Sequence, residues 1–339
     1  MRSFFEPVQA RHEPTAEMHN GGFVPYHEHS GRVASVLSAI AAPETPRDFG
    51  MAPLAAVHTA EYLVFLQTAH ARWIESGRAG EALAYAWPVR RRRSLRLERI
   101  DALLGRFSFD ATTPVTATTW RAAYASAQTA LAATQAVLDG APCAFALCRP
   151  PGHHAGADYM GGYCYLNAAA IAAQHARENG KSKVAILDVD YHHGNGTQDI
   201  FWARGDVLFA SIHADPATDY PFFWGHADEV GEGDGKGATL NLPLARGADL
   251  ESYRRALGAA LEAIKSFAPE LLVVSFGADT FEADPICDFR LRTADYAVVA
   301  ADISTCGLPT VIVLEGGYAV EQLGTNVATF LQGFAEHSS

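Results

Sequence analysis

Cysteine is sparse and unpatterned in this chain: Cys143, Cys148, Cys164, Cys287 and Cys306 make an odd set without a C-x-x-C pair. That excludes a disulfide framework and a thiolate zinc knuckle, and it reads as reduced core thiols. Long apolar runs are also missing. No stretch reaches the roughly 18 residues of a membrane span, and Met1 to Glu13 interleaves Glu6, Arg11 and His12 with its apolar residues, so no signal peptide is expected. A cytoplasmic protein with no membrane partner is expected. Positive charge is short as well, 26 Lys+Arg against 38 Asp+Glu, for a net charge of −12. Such a balance repels phosphate backbones, argues against nucleic acid as a partner and weakly attracts small cations. Internal repeats and low-complexity tracts are absent too.

What is present is an ordinary globular composition, 49% apolar and 19% charged over 339 residues, enough to bury about three quarters of the unfolded surface in one domain. From Cys143 onward, short apolar runs precede longer helical patterns. Cys143–Cys148, Val184–Asp190, Val207–Ile212, Leu271–Phe276 and Thr310–Leu314 read as parallel strands. Helices are expected over Leu250–Phe267 with Asp249 as N-cap, and over Ala294–Cys306 after Thr293, closed by Gly307 and Pro309. The first 140 residues are more helical, with Ser30–Ala42, Ala60–Gly77 and Trp120–Asp139 as candidates. Strand and helix alternation predicts an α/β fold, a doubly wound parallel sheet whose active site gathers past the carboxyl ends of its strands. Arg78–Thr118 reads as irregular and carries Arg90–Arg93, Arg96 and Arg99; a loop used in self-association is the expected role.

Four strand ends carry the chemistry. Beyond Val184 comes Leu187-Asp188-Val189-Asp190-Tyr191-His192-His193-Gly194-Asn195. In extended chain, residues two apart share a side, so Asp190 and His192 can converge as metal ligands. By itself the pattern fits equally well an aspartate capping the next helix beside a buried histidine. Asp279, after the Leu271 run, completes an Asp, His, Asp set, which suits catalytic Zn²⁺ while also accommodating Fe²⁺ or Co²⁺; it too could be a helix N-cap. His153 and His154 are adjacent and point differently, so they suit two separate groups flanking a reactive water, one of them accepting its proton and later protonating a leaving amine. Tyr318, after Glu315-Gly316-Gly317, is placed to donate to a developing oxyanion.

In combination these segments resemble the arginase/deacetylase superfamily, within it the zinc-dependent histone deacetylases and, among those, the bacterial acetylpolyamine amidohydrolases. The resemblance runs from about Asn20 to Phe334 and rests on R-P-P-G-H-H (149–154), G-G-Y-C-Y-L-N (161–167), L-D-V-D-Y-H-H-G-N-G-T-Q (187–198), G-A-D-T-F (277–281), D-P (284–285) and E-G-G-Y (315–318). It implies one deacetylase-like domain over residues 1–339, with about eight parallel strands and helices on both faces. It implies Zn²⁺ at Asp190, His192 and Asp279, His153 and His154 as the catalytic histidine pair, and Tyr318 as the catalytic tyrosine. A structural K⁺ is implied at Asp188, Ser211 and Ile212 with Asp190 and His192, and Asp188 orients His153. Gly162, Tyr163 and Tyr220 match positions lining a narrow substrate tunnel, and Asp101 matches an acidic position at its rim.

The implied reaction is hydrolysis of small N-acetyl amines, acetylated polyamines or diamines, by a homodimer or higher homo-oligomer that the 78–118 segment helps to close. Asn195 stands where class I deacetylases carry an aspartate, and a further carboxylate expected of polyamine-selective members is replaced near Thr112. Deacylation of acyl-lysine in proteins, or of another small amide, is the rival among enzymes. A catalytically inactive metal-dependent binding module is the rival from another class, and it has no use for the histidine pair and the tyrosine.

Overall fold

The computed structural model describes residues 1–19, 21–88 and 96–337, without the side chain of residue 337. The Arg90–Arg93 run therefore lies outside the described residues.

Nine strands are described: β1 (Arg2–Phe4), β2 (Ala16–His19), β3 (Gly22–Pro25), β4 (Cys143–Ala146), β5 (Val184–Asp188), β6 (Val207–Ala214), β7 (Thr239–Leu244), β8 (Leu271–Phe276) and β9 (Thr310–Leu314). Strands β2 and β3 form a small antiparallel hairpin. The other seven build one sheet in the order β1-β4-β9-β8-β5-β6-β7, every pairing parallel. The sheet thus has seven described strands rather than about eight. Strands β1 and β7 sit at its edges and were not legible in the sequence. The first has only three residues, too few for a pattern, and the second carries Pro243, which an edge strand tolerates because one side needs no backbone donor.

Ten α-helices are described: α1 (Gly31–Ala39), α2 (Ala52–Ala55), α3 (Ala60–Glu75), α4 (Ile100–Arg106), α5 (Thr119–Leu138), α6 (Ala168–Glu178), α7 (Asn195–Phe201), α8 (Leu250–Phe267), α9 (Thr293–Ser304) and α10 (Val320–His337). The stretch read as irregular contains α4 and a bridge between Ala82 and Val115. The Asp249 carboxylate caps α8 by accepting from Ser252 N–H. Helix α9 begins at Thr293 itself, with Asp295 accepting from the Arg292 N–H one residue before it.

The core explains why the strands read as unbroken apolar runs. Alternate residues face opposite sides, and both sides are covered. Ala144, Ile186, Val273, Val311 and Val313 pack with α3, α5 and α6, whereas Phe145, Leu187, Val274, Ile312 and Leu314 pack with α8, α9 and α10. The order also places the site. The chain leaves β4 for β5 across two positions that β8 and β9 fill later, so four contiguous central strands direct their carboxyl ends at one crevice. Among the described residues no helix is long and apolar enough to cross a membrane.

Candidate active site

Strand β5 ends at Asp188, so Asp190 and His192 lie on a turning chain beyond it rather than alternating along an extended one. The turn closes on itself: the Asp190 carboxylate accepts from His192 N–H at 2.8 Å. His192 Nδ1 then lies 3.3 Å from Asp190 Oδ1 and 3.1 Å from Asp279 Oδ2. Gly316 N–H donates to the far oxygen of Asp190, and Tyr191 N–H to that of Asp279, which aims the remaining lone pairs at the imidazole. Gly277 and Gly316 are required here, because a Cβ at either would collide with Asp190 and Asp279.

The electrostatics fit a cation. Asp190 and Asp279 are fully buried. Burial and then the charge of Asp190 push the Asp279 carboxyl up to about 7. Burial disfavours charge on His192, but its bonds to Asp190 and Asp279 outweigh that and raise it to about 10. Two carboxylates and an imidazole pressed on one point are a three-donor N/O set with room for further ligands. Half-buried Cys287 also approaches, its sulfur 3.9 Å from His192 Nε2.

The histidine pair is split by its surroundings. His153 Nδ1 is 3.0 Å from Asp188 Oδ2; burial opposes its charge, but Asp190 and Asp188 prevail and raise it to about 10. His154 Nδ1 is 2.7 Å from Asn195 Oδ1, an uncharged partner. Burial, followed by the charges of His153 and His192, drives His154 well below the usual histidine range. One ring is held cationic and its neighbour neutral, a division that assigns different roles to adjacent residues. Glu315, given no role by the sequence reading, accepts from Gly152 N–H, His153 N–H and Ser275 Oγ–H, tying β9 and β8 to the histidine loop.

Above this cluster is a cavity of about 330 Å³ whose wall includes His154, Gly162, Tyr163, His192, Tyr220 and Tyr318. Among the described residues the Tyr318 hydroxyl has no hydrogen-bond partner. Its ring lies under the Arg32 guanidinium, 5.1 Å away, and its N–H donates to Asp284. Tyr163 adopts a left-handed backbone at φ 67°, a strain of about 1–3 kcal/mol, which swings its ring against Tyr318. Gly162 lies so close to His154 that any side chain would strike the imidazole. Asp110, which the sequence reading missed, joins the walls: it accepts from Tyr220 O–H at 2.7 Å and from Gly162 N–H at 2.9 Å. Its signal was the following Thr-Thr, since Asp110 also accepts from the Thr112 N–H, as in an Asx turn.

One expected residue lies elsewhere. Asp101 does not line this cavity; its carboxylate is engaged by Arg78 at 3.0 Å, Arg99 at 2.7 Å and the Tyr85 hydroxyl at 3.0 Å. Those arginines, not a substrate ammonium, hold it well below the ordinary range, at about 2. Thr112 is on the wall, as is Asp219, which is bound to Arg246 and to the Tyr191 hydroxyl. Ser211 pairs with Asp188 across the β5–β6 ladder, behind the cluster, and Ile212 is fully buried beside it.

The family model for the histone deacetylase domain matches residues 26–334. The chain belongs to that family. It is 49% identical over 339 residues to acetylpolyamine amidohydrolase 2 of Pseudomonas aeruginosa, covering 98% of each chain. It is 43% identical over 340 residues to the acetylpolyamine amidohydrolase of Mycoplana ramosa, covering 99% of this chain and all of that one. The crystal structure of acetylpolyamine aminohydrolase from Burkholderia pseudomallei superposes with a TM-score of 0.95 at 43% identity, over 99% of this chain and 98% of that chain. The central sheet and its two helical layers are thus the family's fold.

Proposed function

We propose that this chain is a zinc-dependent amidohydrolase that deacetylates small acetylated amines, acetylated polyamines and diamines foremost, releasing acetate and the free amine. The observation that carries the reading is the convergence, at the base of one cavity, of the Asp190, His192, Asp279 set, a histidine pair of opposite charge preference and the free Tyr318 hydroxyl.

Asp190, His192 and Asp279 would hold the metal. When bound, Zn²⁺ supplies Lewis acidity toward a carbonyl oxygen and makes water a stronger acid. His154, neutral and with Nδ1 engaged by Asn195, takes the proton from the attacking water and returns it to the departing amine. His153, cationic between Asp188 and Asp190, adds fixed positive charge where negative charge develops. Tyr318 donates to the oxyanion as it forms. Water adds across the C–N bond, its hydroxyl leaving with acetate and its proton with the amine.

The narrow aromatic cavity, closed by Tyr163 and Tyr220, suits an alkyl chain better than a peptide surface, and the relatives' names point to acetylated polyamines. Since Arg78 and Arg99 occupy Asp101, the attraction for an amine within one chain is the general field of a −12 protein. A structural K⁺ at Asp188, Ser211 and Ile212 belongs to the same proposal. So does self-association, which is supported by the exposed aromatic face of Trp87, Phe222 and Phe223, of which Phe222 also lines the cavity; sedimentation at a single-chain mass would contradict it. The substrate assignment is tested by comparing kcat/KM for acetylputrescine, acetylcadaverine, acetylspermidine and acetyl-lysine peptides. An acetylated diamine or polyamine is expected to lead, and faster turnover of the peptides than of all three would overturn the assignment.

A further inference from the structure

We propose that Tyr159 and Asp199 are positioning residues that decide which ring nitrogen of His154 carries the proton. The proposal rests on the reading of His154 as the base, and it concerns a problem that Asn195 creates.

A carboxylate beside a histidine is an acceptor at both oxygens, so it holds the adjacent ring nitrogen protonated whichever way it faces. An amide has two unlike faces. With Asn195 Oδ1 toward His154, Nδ1 carries the hydrogen and Nε2 keeps the lone pair that a base needs. With the amide reversed, its NH₂ group faces Nδ1, the hydrogen moves to Nε2, and the ring cannot accept a proton from water there. Asn195 therefore needs an outer contact that tells its two ends apart.

The structure supplies one. Asn195 opens α7, and Asp199 stands one turn later on the same helix, so both reach the same neighbour. That neighbour is Tyr159, from the loop after the histidine pair. Its hydroxyl donates its one hydrogen to Asp199 Oδ2 at 2.7 Å. The alternative acceptor, the Asn195 carbonyl, is farther away at 3.4 Å and uncharged. With that hydrogen committed, only the lone pairs of the hydroxyl face the Asn195 side chain, and Asn195 Nδ2 donates to them at 3.4 Å while also donating to the His154 carbonyl at 3.4 Å. Oδ1 is left for His154 Nδ1 at 2.7 Å. Each bond fixes the direction of the next, from the exposed Asp199 carboxylate to the buried imidazole. Burial and then the charge of Asp199 keep the Tyr159 phenol protonated far above neutral pH, so its single hydrogen is always there to be committed. Burial raises the Asp199 carboxyl above the ordinary carboxylate range, and the bonds from Tyr159 and Trp224 oppose that rise.

The test uses the full-length metal-loaded protein with ¹⁵N-labelled histidine, the His154 signals being assigned by their loss in His154→Gln. The wild type is expected to give the Nδ1–H form alone. Tyr159→Phe and Asp199→Ala are expected to give a mixture of the two forms, with kcat falling in proportion to the lost Nδ1–H fraction and KM unchanged, because only the competent population contributes to turnover. In an Asn195→Asp background both changes are expected to leave the tautomer and kcat as that background sets them, since a carboxylate has no donor face. A pure Nδ1–H signal in both single variants would overturn the proposal. So would equal losses of kcat with and without Asn195→Asp, which would mark a packing effect. The underlying base assignment fails by a separate result, full turnover by His154→Ala, which leaves the tautomer measurement untouched.

Discussion

Tyr318→Phe is expected to lower kcat by about 10²–10³ while leaving the fold, the bound metal and KM close to those of the wild type, as measured by steady-state kinetics with metal analysis of the same sample. The size follows from where the hydroxyl stands. It lies on the cavity wall without a partner among the described residues, so no ground-state bond is lost when it is removed. The ring keeps its supports: Arg32 lies over it, Tyr163 packs its edge, and Asp284 holds the backbone N–H. Phenylalanine retains all three contacts. What disappears is a donor that acts only as the carbonyl oxygen becomes negative, in a site from which water is largely excluded. A raised KM with unchanged kcat would instead make Tyr318 a ground-state contact.

Asp190→Ala and Asp279→Ala are expected to abolish metal retention and bring turnover to background, as measured by metal analysis after gel filtration. Each change removes one of three donors and leaves a second carboxylate buried without the cation that compensated it, and an uncompensated buried charge is strongly destabilising. Since the penalty could also loosen the fold, Asp279→Asn is the control: it keeps the shape and the bond from Tyr191 N–H yet weakens the donor. Full metal occupancy in all three variants would remove these residues from the metal site.

How legible this was in the sequence depended on the range of the interactions. The strands β8 and β9 were read to the residue, because a strand buried on both faces must be apolar throughout and Leu271–Phe276 and Thr310–Leu314 are. Asp190, His192 and Asp279 were legible because each follows such a run directly, although the turn that brings the first two together was not: it depends on Asp190 accepting from the backbone two residues on. Asp110, Glu315, Tyr159 and Asp199 act through partners between 36 and 163 positions away, and no local pattern encodes the partner. Asp101 shows the converse. Its position matched an acidic rim residue, but whether a carboxylate is available depends on its neighbours, and Arg78 and Arg99 already occupy it.

Metal-dependent amide hydrolysis is measured most directly as acetate release from acetylputrescine by protein stripped of metal with a chelator, dialysed and titrated with Zn²⁺. Background turnover is expected in the stripped protein, followed by a linear rise that breaks at one Zn²⁺ per chain, the Asp190, His192 and Asp279 set being full at that point. Undiminished acetate release from the metal-free protein, or a titration that restores no activity, would contradict it.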